Sequence, residues 1–531
     1  MEFDYVIAGA GSGGCALAGR LAERCPQATV ALLETGRATE RNVLVNLPLG
    51  FAAVVPFKLG LNWAYATVPQ AGLAGRRGYQ PRGRGMGGSS AINAQIYTRG
   101  HPLDYDEWAA LGCTGWGWQD VLPYFIRAEG NTRGADALHG ADGPLGVADL
   151  RTVNPFSHHF LAAAEQAGHA RNADFNGVYQ EGVGFYQVTQ RDGKRCSAAQ
   201  AYVYGRPRPN LVALTETHAR RVVFEGRQAV GVEIERGGRR QVIRARREVV
   251  MAAGAFGTPQ LLMCSGVGPA AHLQAQGVAV VHDAPGVGAN LQDHLDFIVN
   301  KKVASTVPVG YSLRGGAHML GQAWSYLRRR DGLFSSNVAE AGGFLKSTPD
   351  LARPDLQLHF CVALVDDHNR KMHLGHGYSL HVCLLRPASR GSVTLAGPDA
   401  RTAPLIDPGF LKHPDDLESL LRGAKITREI LDAPALAGQG GRELYTHSGM
   451  SDDALREAIR QHADTIYHPV GTCRMGSDTA AVVDLQLRVR GIDRLRVVDA
   501  SVMPTLVGAN TNAPTIMIGE RAAEWMAAAC A

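Results

Sequence analysis

Phe3-Asp4-Tyr5-Val6-Ile7-Ala8 runs directly into Gly9-Ala10-Gly11-Ser12-Gly13-Gly14 and then into an alanine-rich segment. The apolar run reads as a buried strand, the glycines as a turn, and the alanine-rich stretch as a helix; together they form a dinucleotide-binding fingerprint. Each glycine has its own task. Gly9 permits the tight turn, Gly11 lets the backbone approach a pyrophosphate, and Gly14 lets helix and strand pack closely. A helix opening at Ser12 and Gly13 aims free backbone N–H groups at the phosphates. A second apolar run, Thr29-Val30-Ala31-Leu32-Leu33, ends in Glu34 and Thr35. Glu34 stands about twenty residues past the last glycine, where a carboxylate accepts the hydroxyls of a ribose.

With 531 residues the chain exceeds one ordinary core, so at least two domains are expected. The net charge of +5 is small for this length, and basic residues are scattered apart from Arg328-Arg329-Arg330, which reads as a solvated helix end. Nucleic-acid binding is not indicated. No stretch approaches the roughly 20 apolar residues of a membrane span, and the N-terminus lacks the basic segment of a secretory signal. The expected location is cytoplasmic, at most peripheral to the inner face of a membrane. Nine cysteines without a C-x-x-C pair argue against a disulfide framework and a structural zinc site, so they are expected to be buried thiols.

After the opening unit the α/β alternation stops, and residues 36–130 read as an extended cofactor-covering segment. From Asn210 to Val250, Leu211-Val212-Ala213-Leu214, Arg221-Val222-Val223-Phe224 and Ala229-Val230-Gly231-Val232-Glu233-Ile234 are short alternating runs that predict an antiparallel β-meander. Glu248 to Ala253 then predicts a buried strand entering Gly254 and a helix. Gln357 to Phe360 and Tyr378 to Cys383 predict strands of an antiparallel sheet with helices. Leu495 to Ala500 and Thr515 to Ala529 return to nucleotide-domain style.

Three further segments carry a resemblance. Gly83-Arg84-Gly85-Met86-Gly87-Gly88-Ser89-Ser90-Ala91-Ile92-Asn93, Gly254-Ala255-Phe256-Gly257-Thr258-Pro259 with Ser265-Gly266-Val267-Gly268-Pro269, and Tyr467-His468-Pro469-Val470-Gly471-Thr472 followed by Asp499-Ala500 and Asn510-Thr511-Asn512-Ala513-Pro514 occur in order. This set resembles the signatures of the glucose-methanol-choline flavoprotein oxidoreductases, in particular the choline dehydrogenase-like alcohol dehydrogenase branch, across essentially the whole chain. The resemblance implies FAD in place of NAD. It implies His468 as active-site histidine and Asn512 as its partner, Arg84, Met86, Gly88, Asn93, Ala94 and Ile96 beside the flavin, Ala219 near the adenine, and Trp63, Asp499 and Ala500 as further cofactor contacts. Members with covalent flavin carry a histidine where Ile92 stands here, so non-covalent FAD is expected.

The fold expected is α/β plus α+β: a Rossmann-like FAD-binding domain with a β-meander, discontinuous over residues 1–155, 192–297 and 462–531, and a substrate domain on an antiparallel sheet with helices, over 156–191 and 298–461. The chemistry fits the residues. Oxidising an alcohol removes a hydroxyl proton while a hydride leaves carbon for flavin N5; neutral imidazole suits the first task near pH 7, and an amide can hold the oxygen. The expected reaction is a primary alcohol to an aldehyde, with a quinone, another carrier or oxygen as electron acceptor. The alternatives are an alcohol oxidase producing hydrogen peroxide and a non-redox hydroxynitrile lyase. No metal is expected: His158-His159 and the group Asp366-Asp367-His368, His373 and His376 lack ligand spacing and read as solvated loop residues. Glu340 is read either as a polar contact or as a structural carboxylate.

Overall fold

A computed structural model describes residues 1–530. Its first sheet is built on β1 (Glu2–Ala8), which lies between β2 (Val30–Leu33) and the distal part of a long strand later in the chain. β1 pairs with β2 in parallel, Tyr5 opposite Val30 and Ala8 opposite Leu33. Both faces of a parallel sheet are covered, which is why Val6, Ile7, Val30, Ala31 and Leu32 run without polar interruption and are wholly buried.

Leu211–Leu214 (β3) departs from expectation. It pairs in parallel with β2, Leu211 opposite Val30, as the edge of the nucleotide sheet, and is not part of the meander. Local alternation cannot distinguish the two, because the partner is chosen by the segment that delivers the strand. The meander proper is β4 (Thr217–Glu225), β5 (Gln228–Arg236) and β6 (Arg239–Met251), antiparallel to one another. β6 is one strand of 13 residues: Arg239 to Arg244 completes the meander, and Arg244 to Met251 lies parallel to β1. The separately predicted strand before Gly254 is its second half. Leu495–Val497 adds to β6 in parallel.

Helix α1 (Ser12–Arg24) and the C-terminal helix Asn512–Ala528 pack at very short range. A Cβ at Gly519 would lie 2.7 Å from the Gly13 carbonyl oxygen. Arg20 Nε donates to both carboxylate oxygens of Glu520 at 2.9 Å, and Tyr202 OH donates to the same carboxylate at 2.7 Å. This pairing of chain ends corrects the reading of the cysteines at one place: Cys25 and Cys530, 505 residues apart, come to a Cα separation of 6.2 Å and are joined as a disulfide. The other seven are buried thiols.

The second sheet is antiparallel throughout. Its central strands are β7 (Leu295–Val303), β8 (Ala339–Leu345), β9 (Leu356–Cys361) and β10 (Gly375–Leu384), in spatial order β7-β10-β9-β8, with Gly182–Phe185 beyond β8. The expected strands at Gln357 and Tyr378 lie within β9 and β10. β7 begins at Leu295 and pairs with Asp464–Thr465, so this sheet reaches into both flanking spans expected for the first domain. Each sheet has its own apolar core. Helix α2 (Gly254–Cys264) follows β6, and α3 (Leu313–Arg329) lies outside the second sheet. No described helix is long and apolar enough to cross a membrane.

Candidate active site

A cavity of about 1120 Å³ runs from the fingerprint turn to the second sheet. It exceeds the roughly 300–1,000 Å³ of a drug-sized site, leaving room for a dinucleotide and a substrate. Gly9, at φ +114°, would place a Cβ 2.3 Å from the Ala252 carbonyl oxygen, and Gly14 would place one 2.0 Å from the Gly9 carbonyl oxygen. Protein packing alone demands both. Gly11 differs: it lines the cavity, and a Cβ there would meet only one protein atom, at 3.8 Å. What requires glycine at Gly11 is close approach by something in the cavity. The unpaired N–H groups of the first turn of α1 face the same space, and His218 Nε2, on the cavity wall, is buried without a partner. These features fit an anionic dinucleotide.

Ser12, Gly13, Glu34, Thr35, Trp63, Gly88, Asn93, Ala94, Ile96, Ala219, Asp499 and Ala500 all line this cavity, as does Ile92. Three expected cofactor contacts do not. Gly14 turns into the helix–strand contact, Met86 is wholly buried in the first core, and Arg84 lies behind Trp63 with its guanidinium 5.2 Å from the ring. Glu34 has a second task beyond the ribose reading. Its carboxylate accepts backbone N–H groups from Ala10, Gly36 and Gly85, tying three loops together, while burial pushes its pKa up.

His468 sits at the other end. Its ring is buried, and burial, then His294, His359 and Arg82, push its pKa well below the ordinary histidine value, so it is neutral. The hydrogen bonds around it fix its tautomer. His294 is wholly buried, its pKa pushed down to about 3 by burial. His294 Nε2 lies 3.1 Å from the Leu385 carbonyl oxygen, which can only accept, so Nε2 carries the proton and Nδ1 is bare. That bare Nδ1 lies 2.9 Å from His468 Nδ1, which must therefore donate. His468 Nε2 is left with its lone pair.

The amide beside this lone pair is Asn510, not the expected Asn512. Asn510 Nδ2 donates to His468 Nε2 at 3.1 Å, and its Oδ1 accepts from Thr98 Oγ1 and Gln357 Nε2, both at 3.0 Å, which orients the amide. Asn512 is the first residue of the C-terminal helix, and its Oδ1 accepts from Ser12 Oγ at 2.8 Å. Two residues of chain rotate it away from His468 toward the fingerprint.

The loop presenting His468 is strained and firmly held. Tyr467 has φ +78°, a region that a bulky residue occupies only under constraint. Thr465 Oγ1 accepts its N–H, Arg82 donates to its carbonyl, and its hydroxyl bonds His368 Nδ1 at 2.6 Å. Asp293 Oδ1 accepts the His468 N–H at 2.8 Å; burial pushes this carboxyl up to about 6, opposed by Thr465 and Arg82. His368 and His376, expected as solvated loop residues, are buried. His376 holds Ser312 Oγ at 2.7 Å, at the start of α3.

Family models for GMC oxidoreductases match residues 3–296 and 387–519. The chain belongs to the GMC oxidoreductase family. It is 48% identical over 527 residues to an alcohol dehydrogenase [acceptor] from Pseudomonas putida, covering 98% of this chain and 95% of that protein. It is 41% identical over 528 residues to an oxygen-dependent choline dehydrogenase from Rhizobium etli, covering 99% and 95%. Among solved structures, pyridoxine 4-oxidase from Mesorbium loti superposes with a TM-score of 0.88 at 34% identity, covering 98% of this chain and 99% of that one. Oxidoreductases of this family use FAD, which agrees with the character of the fingerprint end.

In this GMC oxidoreductase the substrate half of the cavity is apolar with a few histidines. His359, on β9, is 3% exposed and lines the cavity, yet neither ring nitrogen has a partner. Opposite it on β10, His381 Nδ1 lies 2.7 Å from Asp296 Oδ2. Asp296 holds His381 up to about 10 against burial, so the pair keeps one shared proton and no net charge at neutral pH. Glu340 is a structural carboxylate: Ser157, Ser336 and the Asn154 N–H occupy it. Sequence reasoning missed His294, Asp293, His359, His381 and Asn510. Of these only Asn510 left a signal, as the first of two asparagines in Asn510-Thr511-Asn512.

Proposed function

We propose that this enzyme oxidises a neutral primary alcohol to an aldehyde, with His468 as general base, Asn510 holding the substrate oxygen, and FAD bound non-covalently. The observation that carries the reading is the unprotonated His468 Nε2, fixed by the chain Leu385–His294–His468, whose lone pair accepts from the oriented Asn510 amide at the place where a substrate hydroxyl would meet both. FAD, when bound, supplies the hydride acceptor. The protein's own part is to take the hydroxyl proton at Nε2, to hold the oxygen from Asn510 Nδ2, and to keep water from a dry imidazole. Non-covalent attachment is supported by Ile92, which offers the cavity no nucleophilic atom.

A neutral substrate is supported by charge. Glu34 and Asp499 are the only carboxylates among the described residues that line the cavity, and both lie at its nucleotide end with their oxygens occupied. A quaternary ammonium is best held where a carboxylate backs an aromatic face, and the described lining of the substrate half supplies no carboxylate. The Pseudomonas putida relative, named as an alcohol dehydrogenase, agrees with this reading.

The test is anaerobic flavin reduction by straight-chain alcohols, benzylic alcohols and choline, repeated with His468→Ala. We expect uncharged alcohols to bleach the flavin, choline to do so poorly, and His468→Ala to keep its flavin while reducing it at least ~100-fold more slowly. Equal rates in the variant would remove His468 from the mechanism. Flavin still attached after acid precipitation would refute non-covalent binding.

A further inference from the structure

α3 is amphipathic the wrong way round for a helix packed on a soluble protein. Leu313, Leu320, Trp324 and Leu327 are 97%, 76%, 59% and 67% exposed. At 100° per residue these four positions fall within about 60° of one another, so they form one outward stripe. Such helices normally turn that stripe inward, and a contiguous exposed apolar patch marks a contact surface. The inner face is already used: Tyr326 is buried and its hydroxyl donates to the Gly193 carbonyl.

The stripe adjoins the mouth of the active-site cavity. Among the described residues lining that cavity, every exposed one comes from Tyr311–Gly316 or from residues 371–374. Met372 and Leu374 are exposed there, so the apolar surface continues around the rim. Basic groups border it. Arg328 lays its guanidinium over the Trp324 ring at 4.4 Å and Lys371 stands at the rim, while Arg329 at the helix end is paired with Asp331 at 2.8 Å.

We infer that α3 and the 371–374 segment dock the enzyme on an anionic lipid bilayer, with Leu320, Trp324 and Leu327 entering the interface, Arg328 and Lys371 at the headgroups, and the cavity mouth opening toward the membrane. An outward stripe of leucine and tryptophan bordered by arginine and lysine is the chemistry of an interfacial helix, and basic residues beside it favour anionic headgroups. The exposed tryptophan with an arginine stacked on it suits the boundary between acyl chains and headgroups. A protein partner would need complementary carboxylates. A bilayer supplies both chemistries over the whole patch, and a mouth facing it admits uncharged alcohols that partition into the interface.

The test uses the flavin-loaded enzyme with unilamellar vesicles of phosphatidylcholine alone and of phosphatidylcholine mixed with phosphatidylglycerol, read by co-sedimentation. Binding to the mixed vesicles is expected. The double variant Leu320→Asp/Trp324→Asp, at positions that do not line the cavity, should lose at least ~10-fold in partition while keeping its flavin and its dye-coupled rate on a water-soluble alcohol. Arg328→Glu should lower binding to mixed vesicles at least about fivefold and leave the weak binding to phosphatidylcholine unchanged. No binding to either vesicle, or binding that the double variant leaves intact, would overturn the inference. So would light scattering, without lipid, showing a dimer that the same double variant dissolves, because the stripe would then belong to a second copy of the chain.

Discussion

His294 and His468 meet at right angles with their Nδ1 atoms 2.9 Å apart, and only one of the two can carry the proton between them. Because the Leu385 carbonyl claims the His294 Nε2 proton, the one between the rings belongs to His468. In the proposed mechanism His294 is therefore a positioning residue that acts through tautomer. His294→Ala should slow flavin reduction about 10-fold or more, a large part of the at least ~100-fold carried by a general base, with flavin content unchanged. His294→Gln, whose amide oxygen can accept from His468 Nδ1, should recover most of it. Equal rates for the Ala variant and the native enzyme would show that the tautomer is held some other way.

The two asparagines of Asn510-Thr511-Asn512 should separate by phenotype. Asn510→Ala removes the donor beside His468 Nε2 and should lower the flavin reduction rate about 100-fold, the scale of a lost oxyanion donor. Asn512→Ala breaks only the bond to Ser12 and should alter flavin affinity with a smaller effect on the rate. Stopped-flow reduction and flavin titration of both variants decide the assignment; the reverse pattern would restore Asn512 as the partner of His468.

Acid tolerance follows from the buried rings. A base acts only when deprotonated, and His468 is held well below the ordinary histidine value. kcat/KM should therefore stay level as pH falls from 8 past 6.5, and an acid limb centred at 6.5 would mean that the ring is solvated. Stability takes a related course. His294 and His359 are each pushed from 6.5 to about 3. The unfolded chain binds their protons first, so the stability associated with the neutral rings is complete above about pH 6.5 and is lost as pH falls toward 3. Denaturant midpoints across that window report it.

Much of this arrangement was legible in the chain, and the parts that were not share a cause. The fingerprint could be read because each glycine answers to atoms close in sequence or to a generic ligand. The two cores and the strands around His359 and His381 followed from local apolar patterns. Alternation alone assigns Leu211–Leu214 to the meander, although it pairs with Val30–Leu33, because alternation says nothing about which strand is the partner. His294 lies in Gln292-Asp293-His294-Leu295, which has no ligand spacing, and its role exists only through a contact across 174 residues. The Cys25–Cys530 bridge is likewise a product of chain ends meeting. Asn510 and Asn512 have the same chemistry, and only the start of the helix decides which of them faces His468.

The Arg20–Glu520 pair predicts how the ends of the chain hold the first domain together. Both side chains are buried, and Arg20 Nε contacts both carboxylate oxygens. Glu520→Ala takes the bidentate carboxylate from a buried guanidinium that keeps only Glu23 and the Arg127 carbonyl, and it leaves the Tyr202 hydroxyl without its acceptor, which should cost toward the lower end of about 3–5 kcal/mol. Replacing the pair together, as Arg20→Met/Glu520→Leu, should cost much less, because no buried charge is stranded. Urea denaturation of the three proteins measures the difference, and equal losses for single and double variants would show that packing, not charge, is at stake.

His359 sets stability against recognition. Both of its ring nitrogens are buried without a partner, an arrangement that costs about 1–3 kcal/mol for each unsatisfied group. A fold retains such a residue where an occupant supplies the missing bonds, and this ring lines the cavity near His468. A neutral imidazole offers one donor and one acceptor, so it suits an alcohol that carries a second oxygen or nitrogen away from the reacting carbon. His359→Leu should raise the denaturation midpoint by an amount equivalent to about 1 kcal/mol, because an unsatisfied polar ring is replaced by an apolar side chain of comparable bulk. The same variant should lower kcat/KM about 10-fold for alcohols with a second polar group, which loses about 1.4 kcal/mol of recognition, and leave simple straight-chain alcohols nearly unchanged. A uniform loss across both substrate sets would instead place His359 with His294 as a support for His468, and a fall in stability would show that its nitrogens are satisfied in the resting enzyme.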